Sequence, residues 1–308
     1  MPTKDTTSLY EFFQKIPDEE AARLYFENQR WGGTPVCGHC ASKNVVETKN
    51  HKPMPYRCRD CRKHFSVRTG TVLAESRLGL HKWLMAIYMM TTARKGIPST
   101  QMARELGITQ KSAWFLAQRI RETWMSNKSD DDDSLSGEVE VDETYFGGKE
   151  TNKHASKKLH AGRGTAGKIA VGGIKQRGGN VVARIIDGTS KKTLHGFIGE
   201  HVRLGSTVYT DDHSSYVGMP YKHLSVGHSV KEYVNGMAHT NGIESFWALL
   251  KRGYFGVYHY MSPKHLNRYI NEFAFRHNTS EVSTMDFIAM TASRVAGRRL
   301  TYKELINA

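Results

Sequence analysis

No stretch of the sequence approaches the roughly 20 consecutive apolar residues that a membrane-spanning helix needs. The N-terminus also lacks the charged segment followed by an apolar one that marks a secretory signal. Cysteine is scarce, with 4 residues among 308. These absences predict a soluble, cytoplasmic protein with no membrane partner. The length favours two or three domains.

Acidic side chains are outnumbered, with 30 Asp and Glu against 44 Lys and Arg, which leaves a formal net charge of +14. A basic surplus of this size favours a polyanionic partner, because binding releases the counterions condensed on that partner. Nucleic acid is therefore the leading expectation, and an anionic membrane surface is the second.

The four cysteines form two C-x-x-C pairs on either side of residues 41–57. Each pair bends the backbone so that two thiolates point at one tetrahedral ion, and a spacer of this length holds a short hairpin. We expect one structural Zn²⁺, because four sulfurs close its coordination shell and a reducing compartment disfavours disulfides. Residues 34–68 are predicted as a zinc ribbon that follows an N-terminal helical segment at 1–33. The predicted ligands are Cys37, Cys40, Cys58 and Cys61.

A helix-turn-helix region is predicted at residues 78–126. A short helix after Pro98 ends at Gly107, and a second helix starts near Thr109. That helix presents Gln110 and Lys111 near its start, where a groove-reading helix contacts bases. A plain helical hairpin is the alternative, and the net charge favours DNA.

An acidic, serine-containing linker is expected at residues 127–137, and short strands follow it. Residues 138–299 are predicted to form one domain, with residues 300–308 as a C-terminal tail. The fold class is thus multi-domain α+β. Beyond the first strand, which contains Asp142, strands are expected at 168–174 and 180–187 as an antiparallel meander and at 206–210 and 224–230, with helices at 191–201, 239–253, 263–276 and 283–299.

Three carboxylates stand out in this domain. Asp142 and Asp211 lie at or near the ends of two predicted strands, while Glu244 shares a helical stripe with Asn241 and Lys251. If the helix packs on the sheet, the three acids converge, and they then need a compensating cation. Oxygen ligands select Mg²⁺ or Mn²⁺. Two such ions would support in-line attack on a phosphodiester, with Lys251 on a DNA phosphate.

Residues 141–148 (VDETYFGG), 209–211 (YTD) and 239–253 (HTNGIESFWALLKRG), with Tyr258-His259, resemble the catalytic core of bacterial insertion-sequence transposases. The closest group is the ISXO-like branch of the DDE superfamily, which also carries an N-terminal zinc ribbon. The resemblance covers nearly the whole chain. It implies a ribonuclease H-like core, metal-dependent cleavage at element ends, and transfer of the freed 3′ hydroxyl into target DNA.

The same resemblance implies Asp142, Asp211 and Glu244 as metal ligands and Lys251 as a DNA contact. Asp212 is an alternative second ligand, and Asn241 or His239 an alternative at the third position. The full set of expected double-stranded-DNA contacts is Lys251, Arg252, Asn241, His239, Lys111 and Gln110.

Joining two DNA ends requires at least a homodimer on DNA, and the expected location is the bacterial cytoplasm, at the nucleoid when bound. Two other functions fit the same residues. One is a site-specific DNA-binding regulator without catalysis, and the other is a nuclease of this fold without strand transfer.

Overall fold

The computed structural model describes residues 5–48, 50–125, 134–148, 154–158, 164–165, 167–226 and 239–307. The chain forms two compact units. Residues 1–125 and 279–308 make up the outer unit, and residues 126–278 make up the inserted unit. The inserted unit thus ends at residue 278, whereas the sequence predicted one domain over 138–299.

The N-terminal segment forms two helices, α1 (Leu9–Lys15) and α2 (Glu19–Trp31). Pro17 lies between them, and Asp18 caps α2 by accepting the backbone N–H of Ala21 at 2.8 Å. The helical segment predicted at 1–33 is therefore interrupted after its first turns.

A small antiparallel sheet follows, in which β2 (Tyr56–Cys58) lies between β1 (Val45–Glu47) and β3 (His64–Phe65). Its core contains two of the four cysteines packed against aromatic rings. This is the hairpin expected between the two C-x-x-C pairs.

Three helices follow in the outer unit: α3 (Leu80–Thr92), α4 (Ser99–Leu106) and α5 (Gln110–Thr123). Gly107 ends α4 at φ 59°, a left-handed conformation that glycine adopts without steric cost. Thr109 caps α5 by accepting the N–H of Ser112. The helix, glycine turn and helix predicted from the sequence are all present.

In the inserted unit, the described residues form a five-stranded mixed sheet in the order β6-β5-β4-β7-β8. The β6-β5-β4 pairs are antiparallel, as the predicted meander requires, and β7 and β8 run parallel to β4. The last strand begins two residues earlier than predicted, and its expected end at 227–230 lies outside the described residues. The bounds are β4 (Glu138–Phe146), β5 (Ile169–Gln176), β6 (Val181–Ile185), β7 (Thr207–Asp211) and β8 (Lys222–Val226).

Helices cover both faces of this sheet. α6 (Lys191–His201) packs on one face, where Val139 and Val141 of β4 are buried. α7 (Asn241–Gly253) and α8 (Pro263–Asn278) pack on the other, and α7 continues into a π-helical turn at Tyr254–Tyr258. The predicted linker falls largely on 126–133, outside the described residues. Leu135, inside the predicted linker, is buried and bridges to Val202, so this part of the segment is packed rather than a solvated linker.

The chain then returns to the outer unit as α9 (Thr284–Ser293) and α10 (Tyr302–Asn307). α9 packs against α2 and α3, and Thr291 accepts the indole N–H of Trp124 at 3.0 Å. α9 ends before the predicted residue 299, and most of the predicted tail is helical. Within the part of the chain that the structure describes, no helix has the length and apolar character to cross a membrane.

Candidate active site

The two faces of β4 carry different chemistry. Successive side chains of a strand point to opposite faces, and Val139 and Val141 lie in the core beneath α6. Glu140 and Asp142 therefore face α7. β4 runs four residues beyond Asp142 to Phe146, so this aspartate lies in the middle of the strand, whereas it was expected at or near the strand's end.

Asp142 and Asp211 occupy neighbouring positions on parallel strands. The last pair of residues in the β4–β7 ladder is Glu140 and Tyr209. Asp142 follows Glu140 by two residues, and Asp211 follows Tyr209 by two residues. By the same alternation, Asp211 shares the face of Tyr209, whose hydroxyl donates to Glu138 at 2.6 Å. The two carboxylates thus share the α7 face. Asp212 lies beyond the end of β7 and is exposed.

Burial raises the pKa of Asp142 to about 7, and the nearby charges of Glu143 and Asp211 add to the rise. The indole Nε1 of Trp247 donates to Asp142 Oδ2 at 3.0 Å and opposes this effect. A buried carboxylate beside other acids is stabilised by a cation in the same space. The oxygen donors suit a hard divalent ion such as Mg²⁺.

Gly173 makes room for that tryptophan. It is the partner of Asp142 on β5, and a Cβ there would lie 2.4 Å from Cζ2 of Trp247. Because real Cβ atoms essentially never approach so closely, only glycine lets α7 lay Trp247 against β5 and reach Asp142.

The start of α7 is anchored by Glu140, which is 1% exposed. Its Oε2 accepts the backbone N–H of Ile243 at 2.9 Å, as an anion at a helix N-terminus does. Its Oε1 lies 3.1 Å from Arg177 Nε and 3.3 Å from His239 Nδ1. His239, expected to contact DNA, is half-buried in this cluster.

Glu244 is exposed in the first turn of α7 and accepts a hydrogen bond from Thr240 Oγ1 at 2.8 Å. It lies three residues before Trp247 and so on a neighbouring part of the helix surface. Asn241, Lys251 and Arg252 are exposed on the same helix. In the described part of the chain, Asp142, Asp211 and Glu244 do not form a group whose ligand atoms all lie within 4.8 Å of one another.

The four cysteines do meet that criterion: Cys37, Cys40, Cys58 and Cys61 converge within 4.8 Å. The Sγ atoms of Cys37 and Cys61 are 3.7 Å apart, and those of Cys40 and Cys58 are 3.6 Å apart. Bonds of about 2.3 Å from a tetrahedral zinc ion separate its sulfurs by about 3.8 Å. The cluster is positioned to bind a metal and is consistent with structural zinc.

Comparison with known proteins matches one domain in each unit. Residues 134–278 match the ISXO2-like transposase domain, and residues 17–64 match a transposase zinc-ribbon domain. The chain belongs to the ISXO2-like transposases. The transposase is also 27% identical to an uncharacterized protein in transposable element ISH50 of Halobacterium salinarum, over 85% of this chain and 91% of that relative.

The outer unit of the transposase contains the other expected DNA contacts. Gln110 is exposed, and its Nε2 donates to Ser99 Oγ at 2.8 Å. Lys111 is exposed, with its Nζ 4.6 Å from the ring centroid of Tyr302 in α10. No local pattern in the sequence indicates that the C-terminal helix contacts the start of α5.

Sequence reasoning also missed residues that support the acids of the transposase. Glu140 faces away from the core that buries Val139 and Val141, and it is itself buried because α7 covers its face, which the alternation of the strand does not predict. The hydroxyl of Tyr216 donates to Glu143 Oε2 at 2.5 Å on the α6 side of the sheet, and burial raises the pKa of both groups. Nothing in the spacing of Glu143 and Tyr216 predicts that contact.

Proposed function

We propose that this transposase cleaves phosphodiester bonds at the ends of an insertion sequence and transfers the freed 3′ hydroxyl into target DNA, with Asp142, Asp211 and Glu244 as its catalytic acids. The observation that carries the proposal is the adjacent placement of Asp142 and Asp211 on the sheet face beneath α7. A mixed sheet with helices on both faces supports a ribonuclease H-like core.

Asp142 and Asp211 are the proposed ligands of Mg²⁺ or Mn²⁺, and Glu244 completes the set from α7. Two such ions would neutralise charge on the phosphate and lower the pKa of the attacking water or hydroxyl. The buried Asp142 with its raised pKa fits this role, because a cation favours its ionised form.

Other residues of the chain position the acids and the substrate. Trp247 fixes one oxygen of Asp142, and Glu140 fixes the start of the helix that carries Glu244. Lys251 and Arg252 are exposed in the last turn of that helix, where they can neutralise DNA phosphates.

The outer unit supplies further DNA binding in this proposal. α4, Gly107 and α5 support a helix-turn-helix in which Gln110 and Lys111 lie at the start of the reading helix. The zinc ribbon adds phosphate contacts. Strand transfer of two ends requires two active sites, so we expect a homodimer or larger assembly on DNA.

The test uses purified protein, Mg²⁺ and a duplex carrying the inverted repeats found beside the reading frame. Asp142→Asn and Asp211→Asn should each abolish nicking and joining while DNA binding persists. Asp212→Asn is the matched control, and its activity should stay within about twofold of the parent protein. Parental activity in Asp142→Asn would overturn the assignment.

The products of the same assay separate the other candidate functions. Sequence-specific binding without any nick would indicate a regulator. Nicked DNA without joined products would indicate a nuclease. If Asp212→Asn lost activity and Asp211→Asn kept it, Asp212 rather than Asp211 would be the second metal ligand.

A further inference from the structure

The exposed stripe of α7 continues past the helix into the π-helical turn. Asn241, Glu244, Ala248, Lys251 and Phe255 follow one another at intervals of three or four residues, and all are exposed. Side chains at these intervals line one surface of a helix. Phe255 therefore lies on the surface that begins at the proposed third metal ligand.

Phe255 and Tyr260 leave unusually large aromatic areas in solvent, each with 64% of its surface exposed. Tyr254 directly precedes Phe255 and is buried, and its ring centroid is 4.9 Å from that of Phe255. Burial raises the pKa of Tyr254, and the nearby Tyr260 raises it further. Phe255 and Tyr260 are exposed on the turn that follows α7, and we call these two rings the aromatic patch of Phe255 and Tyr260.

The turn that carries this patch is fixed from beneath. Tyr254 packs edge-on against Phe146 of β4 at 5.3 Å, and Tyr258 packs against Tyr269 of α8 at 4.8 Å. His259 then takes a positive φ of 57°, uncommon outside glycine, and the chain turns before Tyr260. Anchored rings hold the backbone, so the exposure of the other two is a property of an ordered turn.

Cations flank the aromatic patch. Lys251 lies four residues before Phe255 on the same surface, and Arg252 is beside it, both exposed. A positive surface that tracks a sugar-phosphate backbone, combined with aromatic rings for the bases, is how proteins bind unpaired nucleic acid. The two rings, each 64% exposed, leave about 320 Å² in solvent at most, since an aromatic side chain has about 150–250 Å² to bury. A stable protein interface needs about 800 Å² per partner, so the patch suits one or two bases.

The distance from the acids also suits a nucleotide strand. Trp247 contacts Asp142, and Phe255 follows Trp247 by eight residues, which is about 12 Å along a helix axis. At the rise of about 3.4 Å per nucleotide in a stacked strand, this corresponds to at most about three or four nucleotides.

We propose that Phe255 and Tyr260 form a stacking site for an unpaired base of the DNA strand held at Asp142 and Asp211, with Lys251 and Arg252 on the flanking phosphates. The inference rests on the proposed function for the identity of the strand. It adds a binding site for unpaired DNA bases to the acids and to the predicted helix-turn-helix.

The test compares two fluorescein-labelled probes by anisotropy in Ca²⁺: a blunt duplex, and the same duplex with a single-stranded 3′ tail of thymidines. The full-length protein should prefer the tailed probe. Phe255→Ala should weaken binding of the tailed probe about tenfold and leave binding of the blunt probe within about twofold. Phe255→Trp should restore the preference, because tryptophan also stacks on bases.

Tyr10→Ala is the matched control, because Tyr10 is 74% exposed in the outer unit. It should leave both affinities unchanged. A tail of abasic sugars should bind the parent protein no better than the thymidine tail binds Phe255→Ala. Equal affinity of the parent and Phe255→Ala for the thymidine tail would overturn the proposal. A change of oligomeric state in Phe255→Ala without loss of tail binding would instead make the patch a contact between two copies.

The proposed function and the stacking site fail in different ways. Asp142→Asn should keep the preference for the tailed probe and lose cleavage. If the parent protein cleaves DNA but Phe255→Ala binds tails normally, the stacking site is wrong and the transposase chemistry stands. If no cleavage occurs yet Phe255→Ala loses tail binding, the stacking site stands without the chemistry.

Discussion

Asp142 is buried, and its pKa is raised, as expected of a carboxylate that binds a metal ion in a buried site. Its pKa rises from 3.8 to about 7 because burial disfavours the charged form. The folded protein therefore holds the proton of Asp142 more tightly than the unfolded chain does. Between pH 4 and pH 7 this carboxyl is protonated in the native state and ionised in the unfolded state, so its contribution to stability falls as pH rises.

Asp142→Asn should accordingly stabilise the metal-free protein at pH 8 by a few kcal/mol, since each unit of pKa shift corresponds to about 1.4 kcal/mol. The gain in stability should shrink towards pH 4, because Asp142 in the folded parent protein is then protonated and as neutral as the asparagine that replaces it. Urea unfolding at several pH values measures it, with Asp212→Asn as the control at an exposed position. Adding Mg²⁺ at pH 8 should stabilise the parent protein and leave Asp142→Asn unchanged. A gain that is independent of pH would contradict the buried, protonated Asp142.

At the scale of elements, the packing of α7 on β5 depends on the absence of one side chain. Gly173→Ala should displace Trp247, because the added Cβ has no room beside the indole. We expect destabilisation of about 1–3 kcal/mol and a loss of cleavage larger than the loss of DNA binding. Thermal unfolding and strand cleavage measure the two effects.

Gly196→Ala is the matched control for that prediction. Gly196 lies inside α6 with no heavy atom within 4 Å of an added Cβ. Alanine there should stabilise the helix by about 0.5–1 kcal/mol and leave cleavage unchanged. If Gly173→Ala and Gly196→Ala had the same stability and the same cleavage activity, Gly173 would not be needed to position Trp247.

The sequence predicted most elements, because periodicity and caps are local. The strand that carries Asp142, the two helices around Gly107 and the two cysteine pairs all follow from the spacing of a few neighbouring residues. Contacts across elements were not predictable in this way. The Trp247–Asp142 hydrogen bond depends on how α7 crosses β5. Likewise, the hydrogen bond between Glu140 of β4 and the backbone of Ile243 in α7 connects residues that are 103 positions apart.

At the scale of the whole molecule, the outer unit is discontinuous in sequence. α9 buries Phe287 and Ile288, and the N–H of Thr284 donates to Asp5 O at 3.1 Å. The backbone N–H of Val72 donates to Val295 O at 3.1 Å. The predicted boundary at residue 299 missed this arrangement, because no local pattern separates a helix of one unit from a helix of the next.

A fragment of residues 1–125 should therefore lack a cooperative thermal transition, whereas co-expression with residues 279–308 should restore one. The inserted unit, residues 134–278, should unfold cooperatively alone. Near-ultraviolet circular dichroism during heating measures all three. A sharp transition in 1–125 alone, at the temperature of the co-expressed pair, would show that α9 and α10 are dispensable to the outer unit.

The same discontinuity sets an order of events during synthesis. Domains generally fold from the N-terminus as the ribosome extends the chain. In this protein, however, residues 1–125 form one unit with residues 279–308, so that unit can be completed only after the last 30 residues are made. The sheet with the proposed acids can be complete while the unit with the zinc ribbon is unfinished. We therefore expect a chain truncated before residue 279 to leave the outer unit incomplete even where the inserted unit has folded.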